Sequence, residues 1–333
     1  MNVVRQSDLA GQALPPERVA VVGYGNQGRA HALNLRDSGW DVVVGQRPGP
    51  GFDRATADGF RPVAVADAVA AAELVILGLP DETAALAYEK EIAPVLRPAA
   101  ALGFLHGFNI RFGYVAPPDG VDVILVAPKG PGTLLRSLYQ RGLGLPALFA
   151  VHRDATGQAR SRALAWASGI GSTRAAVIET TFAAETETDL FGEQAVLCGG
   201  LTALTRAAFE TLVEAGYEPE FAYVECVHEL KQIADLLYER GLTGMRERIS
   251  NTAEYGDLTR GPRIVDARVR GEMRQILAEI RSGAFAEEWM SEVRSGERRF
   301  RQLHDADVDT AYERAGCAVR EWMPWLRETS NGE

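Results

Sequence analysis

Short, almost uninterrupted apolar runs alternate with Ala-rich amphipathic stretches through the first half of the chain. The runs cover residues 19–22, 41–44, 74–79, 99–106, 121–127 and 147–151, with a further one near 175–178. Apolar runs of strand length separated by helix-length segments predict βαβ units in a parallel, doubly wound sheet. Several runs end directly in polar or glycine-rich turns: Gly23, Gln46-Arg47, Pro80-Asp81-Glu82, His106-Gly107 and Lys129-Gly130. Ligands of open α/β sheets bind outside the carboxyl ends of the strands, so these turns are where chemistry is expected. Beyond about Thr181 the pattern becomes helical, as in LTALTRAAFETLVEAGY and ECVHELKQIADLLYERG, and strand-like runs nearly vanish. The expected organisation is an α/β dinucleotide-binding domain over 1–181, a helical domain over 182–327 and a polar tail over 328–333.

Composition narrows the class. The chain has 333 residues, 46% hydrophobic and 24% charged, which is ordinary for a globular enzyme with two domains and a substantial core. Its net charge of -10 argues against a nucleic-acid partner, because a phosphate backbone requires a basic face. The start lacks the basic-then-apolar pattern of a secretory signal, and no apolar stretch reaches the roughly 18 residues of a membrane span. Cys198, Cys226 and Cys317 are widely separated and in no metal spacing, which suggests buried thiols in a reducing cytoplasm.

The loop Gly23-Tyr24-Gly25-Asn26-Gln27-Gly28 follows the apolar segment RVAVV and opens the helical stretch RAHALNLRDSG. That is the context in which G-x-G-x-x-G binds a dinucleotide. The glycines allow a tight turn and close approach of the backbone to a pyrophosphate seated on the helix N-terminus. The next strand ends in Gln46-Arg47, with no acid before Asp53. Arg47 favours the 2′-phosphate of NADPH, although Pro48-Gly49-Pro50-Gly51-Phe52 adds no hydroxyl to hold it.

In the helical half, Asp189 and Glu193 are four residues apart, as are Glu225 and Glu229. Each pair shares one face of a helix, where like charges repel by a few tenths of a kcal/mol. Their neighbours are apolar (Leu190, Phe191 and Val196; Tyr223, Val224 and Leu230), so the acids are expected to face a cation rather than solvent. Oxygen donors without His/Cys spacing suit Mg²⁺, and this many carboxylates could serve two ions.

The blocks GYGNQGRAHALNLRDSG, FLHGFNI, VAPKGPG, VIETTF, ETETDLFGEQAVLCGG, ECVHELKQI and SNTAEYGD resemble the motif series of ketol-acid reductoisomerase, in its short form. The resemblance runs from Val19 to the MPWL at 323–326. It implies a Rossmann-like sheet domain followed by a knotted, dimer-forming helical domain. The implied activity converts 2-acetolactate or 2-aceto-2-hydroxybutyrate to 2,3-dihydroxy acids in valine and isoleucine synthesis, by alkyl migration and then reduction with NADPH.

Carried over by motif, Asp189 and Glu193 would ligate magnesium from one subunit, and Glu225 and Glu229 would complete the site from its partner. Ser250 would bind the substrate carboxylate. His106 and Lys129 would stand at the nicotinamide end, and Glu229 with metal-bound water would move protons. Asp81, Glu82, Thr83, Ala84 and Gly132 would line the cofactor with the glycine loop and Arg47. The sequence departs from the family at Asn26, Arg29 and Asn251. Pro50 and Gly51 stand where phosphate-binding serines are usual, which leaves NADH use open beside NADPH. Two other readings compete: a sibling reductase of another 2-keto or 2-hydroxy acid, and a cofactor-binding sensor without catalysis. Retention of the whole set of polar site residues argues against the sensor.

Overall fold

The computed structural model describes residues 1–10 and 17–326; the tail expected over 328–333 lies outside the described residues. The chain divides into two compact units, Met1–Thr188 and Asp189–Glu333.

The first unit is built on one eight-stranded sheet: β1 Val3–Val4, β2 Arg18–Val22, β3 Asp41–Gly45, β4 Leu74–Leu77, β5 Ala101–Phe104, β6 Asp122–Pro128, β7 Ala147–Arg153 and β8 Val177–Glu179. Their order is β1-β8-β7-β6-β5-β4-β2-β3. Strands β3, β2, β4, β5 and β6 are all parallel, as the alternating runs predict. The far side is not. β7 runs antiparallel to β6, and β1, absent from the sequence reading, runs antiparallel to β8. The reversal of β7 has a local cause. The nine-residue helix Gly132–Gln140 and a short loop return the chain to the end of the sheet at which β6 finishes, so β7 starts there and runs back alongside it. There the Lys129 amide donates to the Pro146 carbonyl at 2.9 Å, joining the end of β6 to the start of β7.

Side chains alternate between the faces of the sheet with period two. Val19, Val21, Leu74 and Ile76 pack into one core with Trp166, Phe149 and Leu35. Ala20, Val22, Val75 and Leu77 pack into the other with Phe104, Ile92 and Val69. Both faces are covered, which is why these strands carry few polar residues. Helix α1, Asn26–Asp37, buries His31, whose Nδ1 accepts the Trp166 indole N–H at 3.0 Å. Burial pushes the His31 imidazole down to about 3, so it is a neutral packing group.

The second unit is helical throughout its described residues, from the remainder of Phe182–Gly192 to Ala311–Glu321. Its core joins Phe209, Ala222, Tyr223, Ala315, Val319 and Met323. Three expectations need correction. None of the cysteines is buried: Cys198 and Cys317 are exposed and Cys226 is intermediate. The helical run Phe182–Glu214 spans 33 residues and contains a stretch of mean hydropathy 1.3, so an apolar segment of spanning length does exist. Only 11% of that stretch is buried within the chain. Finally, two helices contain wide turns with the i→i+5 pattern, Glu193–Leu197 and Val224–His228, which plain helical periodicity does not anticipate.

Candidate active site

The glycine loop forms one end of a cleft of about 480 Å³ at the carboxyl ends of β2, β4 and β5. Its glycines are required for different reasons. A β-carbon on Gly23, which has φ 92°, would lie 2.6 Å from the Gly78 carbonyl oxygen; one on Gly28 would lie 2.2 Å from that of Gly23. Both are therefore needed for β2, β4 and α1 to pack. A β-carbon on Gly25 would meet no protein atom within 4 Å, so this position is open to a ligand. No side chain caps α1, whose first amides are left for an anion. The cradle therefore fits a pyrophosphate.

The Asn26 and Gln27 side chains serve the fold. Asn26 Oδ1 accepts the Thr133 amide at 3.2 Å, and Gln27 Nε2 donates to the Gly130 carbonyl at 2.8 Å. A β-carbon on Gly132 would lie 2.2 Å from the Asn26 carbonyl oxygen; Gly132 is a contact between two helix starts rather than part of the cleft wall. The Tyr24 amide donates to Gln46 Oε1 at 2.9 Å. The Tyr24 hydroxyl donates to Asp58, which also holds Arg29 at 2.7 Å; burial and this carboxylate raise the phenol above its ordinary range.

Arg47 does not line this cleft. It lies in an adjoining hollow of about 260 Å³ that shares Gln46 with the cleft, and its guanidinium pairs with Glu91. Arg54, which the sequence reading passed over, lines the cleft instead. Of the residues assigned to the cofactor at the end of β4, Asp81 and Ala84 line the cleft, whereas Glu82 and Thr83 do not. The Thr83 hydroxyl turns back to the Pro80 carbonyl at 3.1 Å.

His106 closes the far end of the cleft. Its Nδ1 is 2.8 Å from Asp81 Oδ2, and Asn109 Nδ2 donates to Asp81 Oδ1 at 3.2 Å. Asp81 thus orients the imidazole, a role the sequence did not reveal. Beside it, the Lys129 ammonium is 2.7 Å from Glu185 Oε1, and the Gly107 amide donates to Glu185 Oε2 at 3.0 Å. The Glu185 side chain is 1% exposed, and a His106 ring nitrogen lies within 4.8 Å of one of its oxygens. Glu185 is the residue that sequence reasoning missed. Its signal was its place four residues before Asp189 in ETETD, on the same helical face.

In the second unit, Asp189 is partly exposed and Glu193, Glu225 and Glu229 are exposed. Of the apolar neighbours that suggested burial, Leu190 and Tyr223 are buried, Phe191, Val224 and Leu230 are half-buried and Val196 is exposed at 54%, so the acids lie beside the core rather than in it. The single chain therefore does not enclose these acids. Both sets of acids coincide with wide turns: Glu193 opens one, Glu225 lies within the other, and Glu229 follows it. Such turns are frequent at functional sites, although one more, Tyr88–Ile92, lies in the first unit away from these acids. Gly199 and Gly200 accommodate the first, since β-carbons there would lie 2.3 and 2.1 Å from the carbonyl oxygens of Gln194 and Ala195. The donors are all hard oxygens, as Mg²⁺ requires. Ser250 is the N-cap of Asn251–Ile264, its Oγ accepting the Ala253 amide at 3.1 Å.

Known proteins resemble both parts of the chain. Residues 13–176 match the family model described as "Acetohydroxy acid isomeroreductase, NADPH-binding domain", and residues 182–325 match "Ketol-acid reductoisomerase, C-terminal domain". An NADH-preferring ketol-acid reductoisomerase from an uncultured archean is 42% identical, with a TM-score of 0.94 over 96% of this chain and 99% of that one. A semialdehyde dehydrogenase NAD-binding protein from Cupriavidus necator (19% identity, TM-score 0.61) covers 80% of this chain and 99% of its own. A putative oxidoreductase from Jannaschia sp. CCS1 (16%, 0.59) covers 81% and 98%; these two share the fold alone. With both domain models matched in order and a solved relative alike over nearly its whole length, the chain belongs to the ketol-acid reductoisomerase family, NAD(P)H-dependent oxidoreductases of branched-chain amino acid biosynthesis.

Proposed function

We propose that this chain isomerises and reduces 2-acetolactate and 2-aceto-2-hydroxybutyrate to their 2,3-dihydroxy acids, in the cytoplasm, as a homodimer with shared active sites. The observation that carries this reading is the pairing of a dinucleotide cradle ending at His106 with a Lys129–Glu185 pair next to it. When bound, the nicotinamide would supply the hydride and two magnesium ions would polarise the substrate oxygens. Asp189 and Glu193 from one subunit, with Glu225 and Glu229 from the other, are the residues that would hold the metal. Their all-oxygen chemistry fits it, and their exposure in the single chain fits completion by a partner. Among the described residues, 20 of the 24 exposed large apolar side chains belong to the second unit, which favours a face buried between two copies.

The residues then divide the work. Glu229 accepts the proton of the substrate's tertiary hydroxyl as the alkyl group shifts to the neighbouring carbonyl carbon. The shift leaves a new ketone where the hydroxyl stood and an alkoxide where the old carbonyl stood, and the alkoxide takes up the proton that Glu229 removed. Lys129 carries a proton that can balance the hydride arriving at that ketone, and Glu185 positions Lys129 through the 2.7 Å contact. Asp81 fixes His106 at the nicotinamide end, where it orients the substrate and excludes water. Ser250 can donate its hydroxyl proton to the substrate carboxylate while its oxygen caps the helix. The cytoplasmic placement is supported by three free cysteines.

The direct test is oxidation of NADH and NADPH by the purified protein with 2-acetolactate. Turnover should require Mg²⁺ and stop on chelation. No turnover with 2-acetolactate, together with good turnover of a different 2-keto acid, would overturn the assignment in favour of a sibling reductase.

A further inference from the structure

We propose that Glu91 sets cofactor preference by occupying Arg47, weakening the hold on a 2′-phosphate and so favouring NADH. This rests on reading the cleft at the glycine loop as the dinucleotide site. In such a site the ribose 2′-oxygen meets the end of the second strand, which here is Gly45 followed by Gln46 and Arg47. Gln46 is bound to the Tyr24 amide and lines both the main cleft and the hollow beside it. Arg47 and Glu91 line that hollow and pair across it, with side chains 64% and 28% exposed.

Between Arg47 and Asp53 the loop offers a phosphate no other side-chain donor. Pro48 and Pro50 contribute no amide N–H, Pro50 also occupying the first turn of α2, Pro50–Ala57. No hydroxyl lies between Pro48 and Phe52. Gly51 leaves room for Gln46 instead: a β-carbon at Gly51 would lie 3.0 Å from Gln46 Nε2. The Arg47 fork is therefore the loop's means of recognising a 2′-phosphate, and Glu91 engages one of its nitrogens. A 2′-phosphate must displace the carboxylate or accept its negative charge as a neighbour. A 2′-hydroxyl is neutral and meets neither penalty. Glu91 is thus a positioning residue that acts through Arg47. It comes 44 residues later in the chain, outside the loop itself.

Calorimetric Kd values for NADH and NADPH, and for the fragments 5′-ADP and 2′,5′-ADP, would be measured on the full chain and three variants. These are Glu91→Gln, Arg47→Ala and the double variant. Glu91→Gln should shift the ratio of affinities toward NADPH and 2′,5′-ADP by about tenfold, equivalent to about 1.4 kcal/mol. In the Arg47→Ala background the same change should shift the ratio at least about threefold less, because the group it releases is gone. Glu91→Ala carries the same expectation should the glutamine variant not fold. An unchanged ratio, with NADH still bound, overturns the role of Glu91 but leaves the cleft assignment standing. An equal shift in both backgrounds also overturns it, since Glu91 would then act as a bare charge. If the unaltered protein binds none of the four probes, the cofactor reading fails and this inference fails with it.

Discussion

Replacing Asp189 by Asn should lower magnesium-dependent isomerisation of 2-acetolactate by at least about a thousandfold, with NADH affinity within about twofold of the parent. Asparagine keeps the shape but exchanges an anionic oxygen for a neutral amide, a poor donor to a hard cation. Loss of metal-assisted charge stabilisation at this scale is a matter of several kcal/mol in the transition state. Stability should change little, because Asp189 is partly exposed and the substitution keeps the shape of the side chain. Kinetics and thermal melting on one preparation check both halves. Full activity would remove Asp189 from the metal site, whereas a large fall in Tm alongside lost activity would make it a structural residue.

Gly28→Ala should be nearly as damaging by a different route. The added methyl would lie 2.2 Å from the Gly23 carbonyl oxygen, where the obstructing atom is backbone and cannot rotate away. The loop and the start of α1 must separate, opening the packing of β2, β4 and α1 that shapes the cradle. We expect a loss of about 2–3 kcal/mol of stability, typical of overpacking a rigid site, and at least about a hundredfold weaker dinucleotide binding. Gly25→Ala is the informative companion. Its methyl would meet no protein atom, so it should leave Tm nearly unchanged while still weakening the cofactor. Dinucleotide titration by fluorescence, with melting curves, separates the two. Equal destabilisation by both substitutions would contradict the division of roles among the glycines.

How far the sequence foretold the structure depends on the range of each interaction. β2 and its glycine loop were legible because a buried parallel strand leaves an unbroken apolar run and the turn after it has one chemical solution. The antiparallel direction of β7 was not, because apolar periodicity carries no information about direction. Val3–Val4 is too short to register as a run. Glu185 was hidden for another reason: its partners, Lys129 and the Gly107 amide, are 56 and 78 residues away, and only folding reveals a buried ion pair. The same holds for Arg47, which local reasoning assigned to a phosphate and the fold gives to Glu91.

The exposed acids are a different kind of miss. Their apolar neighbours suggested burial, and Leu190 and Tyr223 are indeed buried, but Glu193, Glu225 and Glu229 point from the same helices to the surface, because burial of a neighbour on another face says nothing about the acid. The wide turn after Asp189 did leave a trace: the adjacent Gly199 and Gly200 allow two carbonyls to approach where no other residue would.

The central claim is that one chain both moves a carbon–carbon bond and reduces the product. It is tested most directly with 2-acetolactate carrying ¹³C in the methyl group on the alcohol carbon, incubated with Mg²⁺ and NAD(P)H and followed by carbon NMR. The account predicts 2,3-dihydroxy-3-methylbutanoate with the label in one of two methyl groups on C3, formed in step with cofactor oxidation. Label remaining on C2, in 2,3-dihydroxy-2-methylbutanoate, would mean reduction without migration and would contradict it.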